Sequence, residues 1–66
     1  MQLTINGERR SVPDPATVAA LLDHLALDAR AVVVELNRAI VRRPALATTA
    51  LREDDSVEIV HFVGGG

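Results

Sequence analysis

The sequence predicts a two-layer α+β domain in which one amphipathic helix covers one face of a small sheet. Apolar and polar residues alternate with period 2 at Met1–Ile5 and again at Val57–Ile59, the pattern of half-buried strands. Between them Val18, Leu21, Leu22 and Leu25 fall at i, i+3, i+4 and i+7, a single helical stripe. One stripe needs one sheet face to bury it, and both outer strands then belong to that sheet.

Each element has a local reason. Met1, Leu3 and Ile5 alternate with Gln2 and Thr4, and Asn6-Gly7 follows. Both turn residues tolerate positive φ, so Glu8 to Val12 reads as the returning strand of a hairpin. Pro13-Asp14-Pro15 ends it, because proline cannot donate to a ladder. Thr17 is placed to cap the helix. Ala31 to Leu36 is β-branched and reads as a strand ending at Asn37. Ile40-Val41 is a short strand or edge piece stopped by Pro44, and Ala45 to Leu51 an irregular or single-turn segment. Glu53-Asp54-Asp55 is a polar turn before the last strand, Val57 to Val63. The order is ββαβ(β)β. The expected core is Met1, Leu3, Ile5, Val18, Leu21, Leu22, Leu25, Val32, Val34, Leu36, Val57 and Ile59.

Composition narrows the function. A chain of 66 residues makes one domain, and it buries only about 60% of its unfolded surface, with no room for a deep cleft. It has no cysteine, hence no disulfide, no thiolate nucleophile and no cysteine-ligated metal. This fits the cytoplasm. A formal net charge of −2 gives no general attraction to nucleic acid or an anionic membrane. Apolar runs such as Ala31 to Val34 are far too short to span a membrane. Met1-Gln2-Leu3-Thr4 lacks the basic and then apolar regions of a secretory signal. All seven basic residues are arginine, so no side-chain amine is present for amide conjugation onto this chain.

The end of the chain carries the chemistry. Val57-Glu58-Ile59-Val60-His61-Phe62-Val63 runs directly into Gly64-Gly65-Gly66. Without a Cβ, such a tail reaches conformations closed to other residues and approaches another backbone closely. Its only functional group is the Gly66 α-carboxylate, which makes the terminus itself the expected reagent. Residues 1–63 are then the folded domain and 64–66 a loosely ordered tail. No side chain is expected to be catalytic, and no metal or bound cofactor is expected. His24 lies off the helical stripe and reads as solvated. His61 lies near the reactive end, without a sequence neighbour to orient it for acid–base work. The Glu53-Asp54-Asp55 cluster lacks the alternating spacing of a calcium loop. Arg9-Arg10 and Arg42-Arg43 have no interleaved aromatics and read as solvated surface.

Met1-Gln2-Leu3, Val18-Ala19-Ala20-Leu21-Leu22, Val34-Glu35-Leu36-Asn37, Ile40-Val41 and above all Val57 to Gly66 resemble the β-grasp, or ubiquitin-like, fold, and within it the ThiS family. The resemblance implies a mixed four- to five-stranded sheet, one helix on one face and a free glycine tail. It departs at Asp54-Asp55, where Gly-Asp is common, and at Arg42-Arg43, which separate Ile40-Val41 from Pro44. It further implies a sulfur carrier, monomeric when free, and not an enzyme. A ThiF-type adenylating enzyme would use ATP to convert the Gly66 carboxylate to an acyl-adenylate. A cysteine desulfurase-type donor would supply the sulfur of a thiocarboxylate. A ThiG-type thiazole synthase would then take that sulfur into the thiazole of thiamine. The alternatives are a carrier of another pathway, such as the molybdopterin synthase small subunit, and a ubiquitin-like modifier or interaction module.

Strand parity predicts the docking surface. If Val57 and Ile59 face the helix, then Glu58, Val60 and Phe62 face away. If Val32, Val34 and Leu36 face in, Val33 and Glu35 face out. Val33, Glu35, Glu58, Val60 and Phe62 are the expected partner-binding residues, with Phe62, the chain's one aromatic, as anchor.

Overall fold

The computed structural model describes residues 1–14 and 17–62. β1 (Gln2–Ile5), β2 (Glu8–Ser11), β3 (Val32–Leu36), β4 (Ala39–Val41) and β5 (Ser56–His61) form one sheet in the order β2-β1-β5-β3-β4. β1 and β5 run parallel, and the other neighbours are antiparallel. Helix α1 (Val18–His24) contributes Val18, Leu21 and Leu22 to a core shared with β1, β3 and β5. This is the expected β-grasp architecture, with the sheet at five strands.

Both hairpins turn on paired positive φ angles. Asn6 and Gly7 have φ of 51° and 82°, and Asn37 and Arg38 have 50° and 74°. Two such residues give the backbone twist that matches two adjacent strands. A Cβ added at Gly7 would meet nothing within 4 Å, so its backbone angle alone explains the glycine.

The helix is seven residues long and depends on its surroundings. Its first N–H groups have no partners within the helix. Val18 donates to the Thr49 carbonyl at 3.0 Å and Ala19 to the Leu46 carbonyl at 2.9 Å. Ala20 donates to the Thr17 hydroxyl at 3.2 Å, so Thr17 caps as expected. The irregular segment after β4 therefore has a purpose. It opens with a 3-10 turn at Arg43–Ala45, then lays its carbonyls against the helix start and buries Leu46 and Leu51. At the other end Leu27 N–H bonds the Leu22 carbonyl and Ala26 N–H the Asp23 carbonyl, a Schellman closure. After it a 3-10 turn, Ala29–Ala31, is capped by Asp28, whose side chain accepts from the Arg30 N–H at 2.8 Å. The Arg30 side chain and backbone hydrogen bonds hold the Asp28 carboxyl below its ordinary range.

Nine of the expected core residues are buried: Leu3, Ile5, Val18, Leu21, Leu22, Val32, Val34, Val57 and Ile59. Met1, Leu25 and Leu36 are only half-buried against that core. Each stands at the end of its element: before β1, at the helix C-cap and at the last position of β3. Val12, Leu46 and Leu51 are buried without having been expected, because each follows or interrupts an element and lacks a periodic neighbour. The returning strand ends at Ser11, one residue short of expectation, and the last strand runs from Ser56 to His61, leaving out Phe62. Val63, Pro15 and the Gly64–Gly66 tail lie outside the described residues.

Leu22 is 1% exposed, so Leu22→Ala should cost about 2–5 kcal/mol, read as a lower midpoint in urea denaturation. Ala26 closes the helix at φ 58°, where an alanine Cβ is crowded. Ala26→Gly relieves that strain and loses only part of the gain to unfolded-chain entropy. It should stabilise by about 0.5–1 kcal/mol and raise Tm by several degrees in a thermal melt.

Candidate functional site

The site is built around β5 and the sheet face that α1 leaves uncovered. β5 is held from both sides at its two hairpin neighbours. On one side the Asn6 carboxamide acts as an extra strand residue: its Oδ1 accepts from the Ile59 N–H at 2.7 Å and its Nδ2 donates to the Ile59 carbonyl at 3.2 Å. On the other side Asn37 Oδ1 accepts from the Ser56 N–H at 3.0 Å, and the Asn37 N–H donates to the Ser56 carbonyl at 2.8 Å. Asn37 Nδ2 also reaches the Asp55 carboxylate at 3.0 Å. Phe62 N–H donates to the Ala31 carbonyl at 2.9 Å, continuing the pairing with the β3 side beyond His61. The backbone is thus tied down to Phe62, the last described residue, four residues from Gly66.

The acidic turn before β5 is a latch. Glu53 accepts from the Gln2 N–H at 2.9 Å, and Asp55 accepts from the Arg52 N–H at 2.8 Å. Asp54 pairs with Arg9 of β2. Asp54 has φ 70°, a left-handed backbone that glycine would adopt without strain. Among the described residues no group of three or more His, Asp or Glu side chains is gathered as a metal would need. No described helix is long and apolar enough to cross a membrane.

The open face carries the parity-predicted residues. Val60 and Phe62 are 60% and 59% exposed. Val33 stands opposite Val60 in the β3–β5 ladder and is half-buried. Glu35 stands opposite Glu58 in the next row on that face; Glu35 is half-buried and Glu58 exposed. Ile40 of β4 faces Glu35 across the other ladder and is 61% exposed. Ile40 was missing from the expected set; alternation within a three-residue strand leaves too little pattern to show it. Beside this face, where β4 ends short of the start of β3, opens a shallow pocket of about 210 Å³. Val33, Ile40, Arg42, Arg43 and Phe62 are among its lining residues.

His61 has the opposite parity and sits on the helix side, yet it is exposed because α1 ends short of it. It lines a second cavity of about 240 Å³ with Asn6, Arg10 and Leu27. His24, at the end of the helix, is exposed as expected.

The model of the ThiS family matches residues 3–66, from β1 through the terminal glycines. The chain belongs to the ThiS family. It is 40% identical over 65 residues to the sulfur carrier protein ThiS of Bacillus subtilis, covering 97% of this chain and 98% of that one. It is 38% identical to the crystal structure of the thiamine biosynthesis protein ThiS from Geobacter metallireducens, with a TM-score of 0.86 and full coverage of both chains. It is also 47% identical over all 66 residues to a thiazole synthase of Paramagnetospirillum magneticum, of which it spans only 20%. A thiazole synthase of Magnetococcus marinus gives 39% identity and the same 20% span. The chain thus covers about a fifth of the length of these two relatives.

The asparagine hold on β5 can be separated from turn conformation, since glycine accepts the same positive φ. Asn6→Gly should cost about 1–3 kcal/mol through its two lost hydrogen bonds. It should also accelerate hydrogen exchange at the Ile59 amide relative to Val34 in the neighbouring strand.

Proposed function

We propose that this protein is the sulfur carrier that supplies the thiazole ring of thiamine, and that the Gly66 carboxylate is the group that carries the sulfur. The family match reaching residue 66 carries this reading. A carboxylate is a poor electrophile. Attack of its oxygen on the α-phosphate of ATP in a ThiF-type enzyme releases pyrophosphate and leaves an acyl-adenylate. The terminal sulfur of a persulfide on a cysteine desulfurase-type donor then displaces AMP to give an acyl disulfide. Two thiols reduce its S–S bond, becoming a disulfide themselves and leaving the thiocarboxylate and the donor's thiol. The protein itself binds no nucleotide in this scheme; it contributes a reactive end and a surface by which that end is placed.

The geometry supports the division of labour. Phe62 is tied to Ala31 by its backbone N–H, and the four residues beyond it reach roughly 13 Å when extended. The folded domain can stay outside an active site while Gly66 enters it. The exposed Val60 and Phe62, with Val33, lie at the base of the tail as a docking patch for both the adenylating enzyme and a ThiG-type thiazole synthase. The thiazole synthase relatives that contain a stretch like this chain support that second partner. The adjacent pocket has room for an apolar side chain from the partner.

The test is the intact mass after incubation with the adenylating enzyme, ATP and a sulfur donor. The expected result is exchange of one oxygen for sulfur, mapped to Gly66. A chain extended by one residue after Gly66 should stay unmodified while keeping its fold; normal thiocarboxylation of that chain would overturn the proposal. Phe62→Ala should weaken binding to both enzymes at least about tenfold, measured by titration calorimetry, with little change in Tm because the ring is largely exposed.

A further inference from the structure

Glu35 and Glu58 stand directly opposite each other across the β3–β5 ladder. Side chains so paired have Cβ atoms about 4.5–5.5 Å apart, and like charges there destabilise a sheet. The described ion pairs join Arg9 to Asp54 and Arg30 to Asp28, and neither includes these glutamates. The undescribed residues, Pro15, Ala16 and Val63 to Gly66, contain no basic side chain. The two carboxylates therefore have no ion-pair partner within 4 Å, on a face that also carries the apolar Val33, Ile40, Val60 and Phe62 and has Arg42 and Arg43 at its edge. Ile40 flanks Glu35 on one side, and the Val33–Val60 pair occupies the next row toward Phe62.

We infer that this face docks on an enzyme surface presenting a basic side chain between the carboxylates of Glu35 and Glu58, with apolar surface alongside for Ile40, Val60 and Phe62. The inference rests on the carrier function proposed above and specifies the chemistry of its partners. The occupant follows from charge. Exposed apolar side chains alone would suit a second copy of this chain. A two-fold pairing of this face would bring both acidic pairs into one desolvated interface, where like charges repel most strongly. A guanidinium or ammonium group relieves the repulsion instead, and surrounding apolar contacts shield the resulting pair from water and salt. The acidic pair thus costs the free carrier some stability and selects a basic partner over self-association.

The experiment compares the parent with Glu35→Gln, Glu58→Gln and the double variant, against the purified ThiF-type and ThiG-type enzymes at low and high sodium chloride. Each single variant should melt about 2–4 °C higher, because the repulsion is gone. The double variant should bind at least one of the two enzymes about tenfold more weakly at low salt and lose most of the parent's salt dependence. The inference is overturned if the double variant binds both enzymes as tightly as the parent, or keeps the parent's salt slope. A fall in Tm in the single variants also overturns it, since the pair would then stabilise the fold. If the parent itself binds neither enzyme, the carrier proposal fails and takes this inference with it. If the parent is thiocarboxylated while the variants bind unchanged, only the inference fails.

Discussion

β5 is paired along both edges, in parallel with β1 and antiparallel with β3, and the other parts of the molecule are arranged about that double pairing. Two asparagines make it possible. Each sits in a hairpin turn at positive φ, where its backbone has left the ladder, and each uses its carboxamide or backbone to bond β5 at the point where the strand proper stops. An asparagine is suited to this because its amide has the same donor and acceptor as a peptide unit. The acidic turn joins the same construction, since Asp55 receives bonds from Asn37 and from Arg52. Loss of the hold on β5 would loosen the core and the exit of the glycine tail together.

That shared strand couples the core to the face proposed for docking. Val57 and Ile59 are buried in the core, while Glu58 and Val60 between and beyond them face away from the helix. A slip of one residue would exchange the two sets. The core thus fixes which residues the open face presents. Phe62 lies one step beyond β5 and its N–H is held by the Ala31 carbonyl, four residues from Gly66, so that docking there, as proposed, would also place the terminus.

The other side of the sheet shows how a seven-residue helix is maintained. Such a helix is too short to persist alone. Its first amides are taken up by carbonyls of Leu46 and Thr49, and its last turn closes on Ala26 and Leu27. The segment between β4 and β5 bonds to itself around Arg42, Arg43 and Ala45 and offers the Leu46 and Thr49 carbonyls to the helix. Leu46 and Leu51 bury themselves beside it and extend the core where neither strand nor helix reaches.

By itself the sequence determined the elements with strong local signals. Asn6-Gly7 specified one hairpin, Thr17 the helix start, and the Val18-Leu21-Leu22 stripe the helix face; period-2 alternation put Glu58, Val60 and Phe62 on one side and Val57 and Ile59 on the other. These follow from dihedral preference and side-chain direction, which are properties of neighbouring residues. It also spelled out the glycine ending and the family resemblance that the comparisons bear out. Only the tertiary structure decided that Leu46, Leu51 and Val12 are core, that Met1, Leu25 and Leu36 stop at its margin, and that Asn6 and Asn37 grip the same strand from opposite sides. It alone brought Ile40 beside Glu35, and Glu35 beside Glu58. The physical reason is separation along the chain. Asn6 and Ile59 are 53 residues apart and Asn37 and Ser56 are 19 apart, and no local pattern records a partner that becomes a neighbour only when the sheet has formed.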